Sequence, residues 1–382
     1  MIHNGRQTSK DPAGVFSSEL VDHIRRSGNV LELPGGRILL PEAFGFCQGV
    51  NRALVMLEKA AHADRRGRLF LLGQIIHNPW VNRHFEQQGV RILQSDELDR
   101  LEELIGRGDG AVIPAFGVSV GVEQRLRAIG CRIIDTSCGD VRRLWRWTTQ
   151  AAGQGYGVLI YGRARHDETV VTKSRLQQAG GRYVVVESLG QAQDFADLMA
   201  GRRRAEQFAE LFGVDATNAD GLEPFLHLAQ VSQTTMLYDE TMQVRRILSR
   251  AFEERFGREQ QERLIFQPTV CRATQDRQNA TVQLCRKGCD LVIVVGGFGS
   301  SNTGHLYELA RTYCPAYFIE DASALVCDQE IRCYDPAHRA QRSVSGWLPS
   351  RRPLTVGLLA GASTPETVVG QVIHRLQEFL GV

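Results

Sequence analysis

The chain has 382 residues, more than one hydrophobic core usually supports, so two or three domains are expected. Its 45 basic and 43 acidic residues leave a formal charge of +2 and 43% of the residues are hydrophobic, which excludes a disordered chain and gives no indication of nucleic-acid binding. No apolar run reaches the ~18 residues of a membrane span, and the first 35 residues lack a continuous apolar signal segment, so we expect a cytoplasmic protein that binds no membrane.

Short runs rich in Val, Ile and Leu alternate with longer amphipathic stretches, a pattern typical of βα units on parallel sheets. A leader of uncertain order occupies residues 1–35, with a short helix expected at Ser18–Arg26. Twelve strands are predicted after it, in three sets of four: 37–41, 69–73, 90–93 and 111–114; 131–135, 157–161, 183–187 and 225–230; 263–266, 291–295, 316–320 and 354–359. The sequence therefore predicts an α/β fold.

The three sets correspond to three similar α/β domains, at 36–130, 131–262 and 263–382. The second domain is the longest because it contains a polar segment at 201–221, and a similar segment at 322–351 precedes the last strand of the third. Both segments are charged and rich in turn residues, so we expect them to be surface insertions.

Each predicted domain places a cysteine after its first strand, at Cys47, Cys138 and Cys271. The chain has nine cysteines, an odd number that disfavours a closed disulfide framework, and core packing is the expected role of the other six. The shared repeat position of Cys47, Cys138 and Cys271 favours a three-thiolate metal site formed by these cysteines. Structural zinc usually has four protein ligands, so an iron–sulfur cluster with one iron lacking a protein ligand is the better interpretation.

The turns after the second and fourth strands carry the polar groups, and two of them, GGFGSSN and LLAGAST, are rich in glycine or other small residues. Gly-rich turns that lead into a helix expose backbone N–H groups and suit phosphate, so these two turns and two histidines predict a phosphate-bearing ligand. A carboxylate would repel phosphate, and we therefore expect Glu168 to donate or relay a proton near the metal. Thr234 either relays a proton or caps a helix. The other groups in these turns are His77, His166, Ser300, Ser301, Asn302 and Ser363.

These motifs resemble those of the 4-hydroxy-3-methylbut-2-enyl diphosphate reductase family, in its plant and cyanobacterial branch. The resemblance runs in order from Phe44 to Ile373, through AFGFCQGVNRA, IIHNPWVN, IPAFGVS, DTSC, RHDETV, VSQTTML, TVCRATQDRQ, VVGGFGSSNTGHL and GASTPE. It implies a pseudo-threefold trefoil of α/β domains around one 4Fe–4S cluster per chain, held by the three cysteines named above. It also implies that Glu168 is the proton donor and Thr234 lies beside the allylic alcohol. The implied diphosphate ligands are His77, His166, Ser300, Asn302 and Ser363.

The family's activity is the two-electron removal of the hydroxyl group of an allylic diphosphate, giving isopentenyl and dimethylallyl diphosphate, the last step of the methylerythritol phosphate route. No GxGxxG motif follows a strand, so a ferredoxin or flavodoxin is the expected electron donor. Phe116 and Gly139 depart from the family pattern, where His and Pro are common. They leave open a paralogous iron–sulfur reductase or dehydratase acting on another phosphorylated alcohol, or a non-catalytic redox sensor. A three-cysteine zinc module is a further alternative.

Overall fold

The computed structural model describes residues 12–63 and 67–381. Contacts divide the chain into two compact units. The first unit comprises the residues up to Ala63, His77–Gln88 and the residues from Asn279 onward; the second comprises the segment ending at Ile76 and Gly89–Gln278. Within the described ranges, no helix combines the length and the apolar character needed to cross a bilayer.

The strands and helices follow one another in the order expected of βα units. The strands are β1 (Val30–Leu33), β2 (Gly36–Leu39), β3 (Leu69–Leu72), β4 (Val90–Leu93), β5 (Gly110–Ile113), β6 (Arg132–Asp135), β7 (Gly157–Tyr161), β8 (Tyr183–Val186), β9 (Leu228–Ser232), β10 (Leu264–Phe266), β11 (Leu291–Val295), β12 (Ala316–Ile319), β13 (Leu325–Cys327), β14 (Glu330–Asp335), β15 (Ala340–Ser345) and β16 (Leu354–Ala360). The α-helices are α1 (Pro12–Phe16), α2 (Glu19–Arg26), α3 (Gln48–His62), α4 (Pro79–Gln87), α5 (Leu101–Leu104), α6 (Val120–Ile129), α7 (Gly139–Gly153), α8 (Asp167–Gln178), α9 (Leu189–Met199), α10 (Phe208–Leu211), α11 (Tyr238–Phe256), α12 (Gln260–Arg263), α13 (Arg272–Cys285), α14 (Ser301–Arg311) and α15 (Glu366–Leu380).

Within residues 12–63 and 67–381, three of the four sheets carry the α/β architecture. The first unit contains a sheet of order β12-β11-β16-β2-β1, parallel except for the β1–β2 hairpin. The second unit contains two all-parallel sheets, β4-β3-β5-β6 and β8-β7-β9-β10. All twelve predicted strands are present, and the predicted α/β class is confirmed.

The same strand order recurs in all three sheets and reveals how the repeat is built. Each sheet contains the third, second and fourth strands of one predicted set, in that spatial order. The next strand in each sheet is the first strand of the following set, and the third set is followed by the first. Thus β6 pairs with β5, β10 pairs with β9, and β2 pairs with β16. Each sheet therefore takes one strand from beyond a predicted domain boundary, and the boundaries at 36–130, 131–262 and 263–382 stay a prediction.

Both predicted insertions contribute more to the core than their polarity suggests. In the segment at 201–221, Phe208 and Phe212 are buried in the apolar cluster around β7, β8 and β9. In the segment at 322–351, β13, β14 and β15 form an antiparallel sheet, and Ile331 of β14 and Trp347, which follows β15, pack in the core of the first unit. The expectation of purely surface insertions is wrong, because a few large apolar side chains anchor each otherwise polar segment.

The leader contains ordered structure in its described part. Ser18 caps α2 by accepting a hydrogen bond from the backbone N–H of Val21, which confirms the helix expected at Ser18–Arg26. Val21 and Ile24 are buried on the inner face of this helix. Residues 1–11 of the leader lie outside the described residues.

Candidate active site

The turn after the second strand of each predicted set becomes a helix N-terminus. His77 precedes Asn78, whose side-chain oxygen accepts from the N–H groups of Trp80 and Val81 and caps α4. His166 caps α8 through Nδ1, and Ser300 caps α14 through its hydroxyl oxygen. Because N-terminal N–H groups and the helix dipole attract anions, this repeated position suits phosphate at all three helices.

Glu168 is held in one orientation by Thr234, which lies in the turn after β9. The backbone N–H of Thr234 donates to Oε1 at 2.6 Å, and its hydroxyl donates to Oε2 at 2.6 Å. The Glu168 N–H donates to Nδ1 of His166 at 3.2 Å, so a neutral His166 carries its proton on Nε2. Glu168 and His166 therefore both lie at the start of α8, where Thr234 holds the carboxyl group and the Glu168 N–H contacts the histidine ring.

The pKa of Glu168 is raised to about 7. The main cause is burial, since the residue is only 3% exposed and a charged carboxylate loses its hydration there. The two hydrogen bonds from Thr234 oppose the shift, and the charge of Asp140 adds to it. A carboxyl group with a near-neutral pKa can hold a proton and release it at physiological pH, which is the property a general acid requires.

Two of the predicted cysteine ligands, Cys138 and Cys271, form backbone hydrogen bonds to the turns after β5 and β9. The N–H of Cys271 donates to the carbonyl of Thr234 at 3.0 Å, so one threonine contacts both this cysteine and the Glu168 carboxyl group. The N–H of Cys138 donates to the carbonyl of Ala115 at 2.8 Å, next to the half-buried Phe116. Glu168, Thr234 and both cysteines thus belong to the second unit.

The first unit gathers the hydroxyl groups of the predicted phosphate site. Ser300 accepts hydrogen bonds from the N–H of Thr303 at 3.3 Å, from its hydroxyl at 3.0 Å, and from the hydroxyl of Ser363 at 3.3 Å. Ser301 begins α14, and among the described residues its buried hydroxyl has no hydrogen-bond partner. These serines come from the turns after β11 and β16, two neighbouring parallel strands, as the topology requires.

Asn302, His77 and Cys47 also lie at this edge of the first unit. Asn302 Oδ1 accepts from the N–H of Ala362, whose carbonyl accepts from the N–H of Cys47 at 3.3 Å. The backbone of His77 passes so close to Gly297 that a Cβ atom at that position would overlap its carbonyl oxygen. The glycine-rich turn is therefore required for His77 to lie beside it.

The three cysteines have the donor chemistry that an iron–sulfur cluster needs. All nine cysteines lie within the described residues and none is in a disulfide. Cys47 and Cys138 are the N-cap residues of α3 and α7, and Cys271 immediately precedes α13, so each thiolate would be stabilised by a helix N-terminus. Over residues 12–63 and 67–381, no group of three or more His, Cys, Asp or Glu side chains is assembled as a metal site. The shared cluster therefore stays a prediction, supported by ligand type and position.

Several buried residues of the site were not anticipated from the sequence. Gln233 follows β9, accepts from the N–H of Arg163 and packs against Gly162. His305 is buried on α14, one turn after Ser301. The spacing of Ser301 and His305 could have identified His305 from the sequence, because residues four apart share a helix face. No local sequence feature distinguishes Gln233.

The LytB protein family model matches residues 38–377. The 4-hydroxy-3-methylbut-2-enyl diphosphate reductases of Gloeobacter violaceus and a Synechococcus strain are 36% and 35% identical, covering 98% and 94% of this chain and 91% and 90% of the relatives. A solved (E)-4-hydroxy-3-methyl-but-2-enyl diphosphate reductase, the terminal enzyme of the non-mevalonate pathway, is 26% identical with a TM-score of 0.55, covering 89% of this chain and 99% of that chain. The E-1-hydroxy-2-methyl-but-2-enyl-4-diphosphate reductase of Plasmodium falciparum is 21% identical with a TM-score of 0.65, covering 89% and 87%, and shows likeness of fold alone. This chain belongs to the LytB protein family.

Proposed function

We propose that this protein is a 4-hydroxy-3-methylbut-2-enyl diphosphate reductase, which removes the allylic hydroxyl group and yields isopentenyl and dimethylallyl diphosphate. The near full-length likeness to reductases of that name supports the substrate. The observation that carries the chemistry is the buried Glu168, whose pKa is raised to about 7 and whose carboxyl group is oriented by Thr234. A proton held at that position meets the main requirement of the reaction.

The proton matters because hydroxide is a poor leaving group. In the proposed reaction the C–O bond breaks, the oxygen leaves as water with a proton from Glu168, and two electrons and a second proton complete the hydrocarbon product. The Thr234 hydroxyl donates to Oε2 of Glu168. When the carboxyl group is protonated, it can exchange its proton with this hydroxyl through the same oxygen. Burial of both side chains excludes water that would otherwise compete for the proton.

The diphosphate group is assigned to the hydroxyl-rich edge of the first unit. Ser300, Asn302 and Ser363 lie at or beside the N-terminus of α14, where N–H groups favour anions. His77 lies against the same glycine-rich turn, and His166 is proposed to contribute from the start of α8. The buried hydroxyl of Ser301 is a further donor for a phosphate oxygen.

Cys47, Cys138 and Cys271 are the proposed ligands of one 4Fe–4S cluster. When bound, such a cluster supplies electrons and one iron that lacks a protein ligand and can act as a Lewis acid toward the substrate oxygen. The thiolate ligands fit this group because each lies immediately before the first residue of a helix, and none is engaged in a disulfide. A ferredoxin or flavodoxin is the proposed external donor, and the cytoplasmic location stays a prediction.

Turnover of the family substrate by anaerobically purified, iron-containing protein with reduced ferredoxin tests the proposal. We expect both product isomers, and growth of a strain that lacks its own reductase when this chain is supplied. A matched assay with another small phosphorylated allylic alcohol separates the proposal from a paralogous activity. Absence of turnover in a protein that contains its full complement of iron would contradict the assignment, and stoichiometric zinc without iron would favour a zinc module.

A further inference from the structure

Three cysteines outside the proposed cluster site lie together in the first unit. Cys285 is the last residue of α13, Cys289 follows in the turn before β11, and Cys314 lies just before β12. All three pack in the apolar cluster that contains Leu284 and Phe318. Three thiols that the sequence separates by up to 29 residues (314 − 285) are thus brought to one edge of a sheet.

Two of these thiols, those of Cys285 and Cys314, interact with each other. Their interaction lowers the pKa of Cys314 and raises the pKa of Cys285, and burial raises the latter further. Cys314 is therefore the thiol that ionises first, while Cys285 keeps its proton beside it. An ionised thiol next to a protonated one is the arrangement from which disulfides form most readily.

The third thiol is held in a different role. Cys289 donates to the carbonyl of Leu284 at 3.6 Å, and burial raises its pKa to about 12. It therefore stays protonated and is a poor nucleophile. The three thiols do not form a metal-binding group, since no group of three or more His, Cys, Asp or Glu side chains that could hold a metal ion occurs in the described part of the chain. The cluster of thiols fits redox chemistry better than metal binding.

The pair of Cys285 and Cys314 is accessible to solvent on the side of Cys314. Cys285 is only 6% exposed, but Cys314 is half-buried and follows Tyr313, which is 43% exposed. The turn at 286–288 is exposed on the other side of the pair. A small oxidant can therefore reach Cys314, and a disulfide between the two residues requires their sulfur atoms to approach to ~2 Å.

We propose that Cys285 and Cys314 form a redox-active dithiol, which hydrogen peroxide converts to a disulfide. The Cys314 thiolate attacks one peroxide oxygen, and the O–O bond breaks to give a sulfenic acid and hydroxide, which takes up a proton to form water. The Cys285 sulfur then attacks the sulfenic sulfur, the S–S bond forms, and the S–O bond breaks to release a second water. Two thiols and one peroxide thus give one disulfide and two waters, with two electrons passing from sulfur to oxygen.

Peptide mapping of the full-length, iron-containing protein tests the pair independently of activity. The protein is treated with peroxide in equimolar amount, remaining thiols are alkylated, and tryptic peptides are analysed by mass spectrometry. Trypsin separates Cys285 (peptide 278–286) from Cys289 (peptide 288–311), and fragmentation of peptide 312–332 distinguishes Cys314 from Cys327. We expect a 278–286 to 312–332 crosslink through Cys314, reversed by dithiothreitol.

Two variants, one of them a control, make the result decisive. Cys285→Ser is expected to abolish the crosslink and leave a sulfenic acid at Cys314 that dimedone captures. Cys131→Ser, which removes a buried thiol bonded to the carbonyl of Leu126, is expected to leave the crosslink yield unchanged. A crosslink that joins Cys289 to Cys314 instead, or equal oxidation of all cysteines without a specific link, would overturn the proposal.

Discussion

Thr234 satisfies both oxygen atoms of the Glu168 carboxyl group, with its backbone N–H on Oε1 and its hydroxyl on Oε2, each at 2.6 Å. Both bonds favour the ionised carboxylate, yet burial outweighs them and the pKa of Glu168 is raised to about 7. The competition between hydrogen bonding and desolvation therefore sets the protonation state of the proposed acid. It also makes that state sensitive to single substitutions.

Replacing Glu168 by glutamine removes the acidic proton and keeps the shape. The amide of Glu168→Gln can accept from the Thr234 N–H through its oxygen and donate to the Thr234 hydroxyl through its nitrogen, so the fold and substrate affinity should be retained. We expect kcat to fall by about 10²–10⁴-fold. In the unchanged protein the protonated form is active, so the rate should decline as pH rises through about 7. Near-native turnover of Glu168→Gln would remove the assignment of Glu168 as acid.

Thr234→Val deletes the hydroxyl donor and leaves the backbone bond intact. Loss of a hydrogen bond that favours the carboxylate should raise the pKa of Glu168 further, and the alkaline limb of the rate profile should move upward by about one pH unit. Thr234→Ser keeps the hydroxyl and serves as the matched control, with its limb unchanged. The measurement is kcat/KM across the neutral and alkaline pH range. An unchanged limb in Thr234→Val would show that this hydroxyl does not set the protonation of the acid.

The sequence predicted local elements well and long-range pairing poorly. Strands such as β7 and β11 are short, apolar and bounded by turn residues, so their own composition identifies them. Nothing in the composition of β2 assigns it to the sheet of β16, at the other end of the chain, because parallel pairing depends on tertiary contacts. The burial of Phe208 in a polar segment was missed for the same reason.

In the predicted site, too, local features were predicted from the sequence and long-range contacts were not. Residue type and repeat position selected Cys47, Cys138 and Cys271, and the structure places each at or immediately before the start of a helix. The contact between Glu168 and Thr234 joins residues 66 positions apart, and no local spacing encodes it. Chemistry that depends on residue type is readable from the sequence, whereas a pKa that depends on burial is not.

The cluster prediction is tested by removing one thiol at a time. Cys138→Ser should lose the brown colour and the roughly four irons expected for a 4Fe–4S protein, since serine is a poor substitute for a thiolate ligand. Cys333→Ser, at a buried position in the apolar core of the first unit, is the matched control and should keep its iron. Iron and sulfide analysis of anaerobically purified protein provides the measurement. Full iron content in Cys138→Ser would exclude Cys138 as a ligand.

The anchoring role of the segment at 201–221 predicts a contrast between two of its residues. Phe208 is fully buried among aromatic rings, and Phe208→Ala should reduce the free energy of unfolding by about 3–5 kcal/mol. Val214 is 93% exposed, and Val214→Ser should change the free energy of unfolding by less than about 0.5 kcal/mol. Chemical denaturation of the two variants distinguishes them. Equal stability of both would mean that the segment is dispensable to the core.

The close approach of His77 to Gly297 predicts a specific effect on substrate binding. A methyl group at position 297 would overlap the carbonyl oxygen of His77, so Gly297→Ala must displace either the histidine or the glycine-rich turn. Because the diphosphate is assigned to this edge, we expect kcat/KM to fall about 10–100-fold, mostly through KM. Gly299→Ala is the control, since its added Cβ would meet only the Cβ of His77 at 3.9 Å, an ordinary contact. If Gly297→Ala raised KM no more than Gly299→Ala does, the diphosphate would have to bind elsewhere.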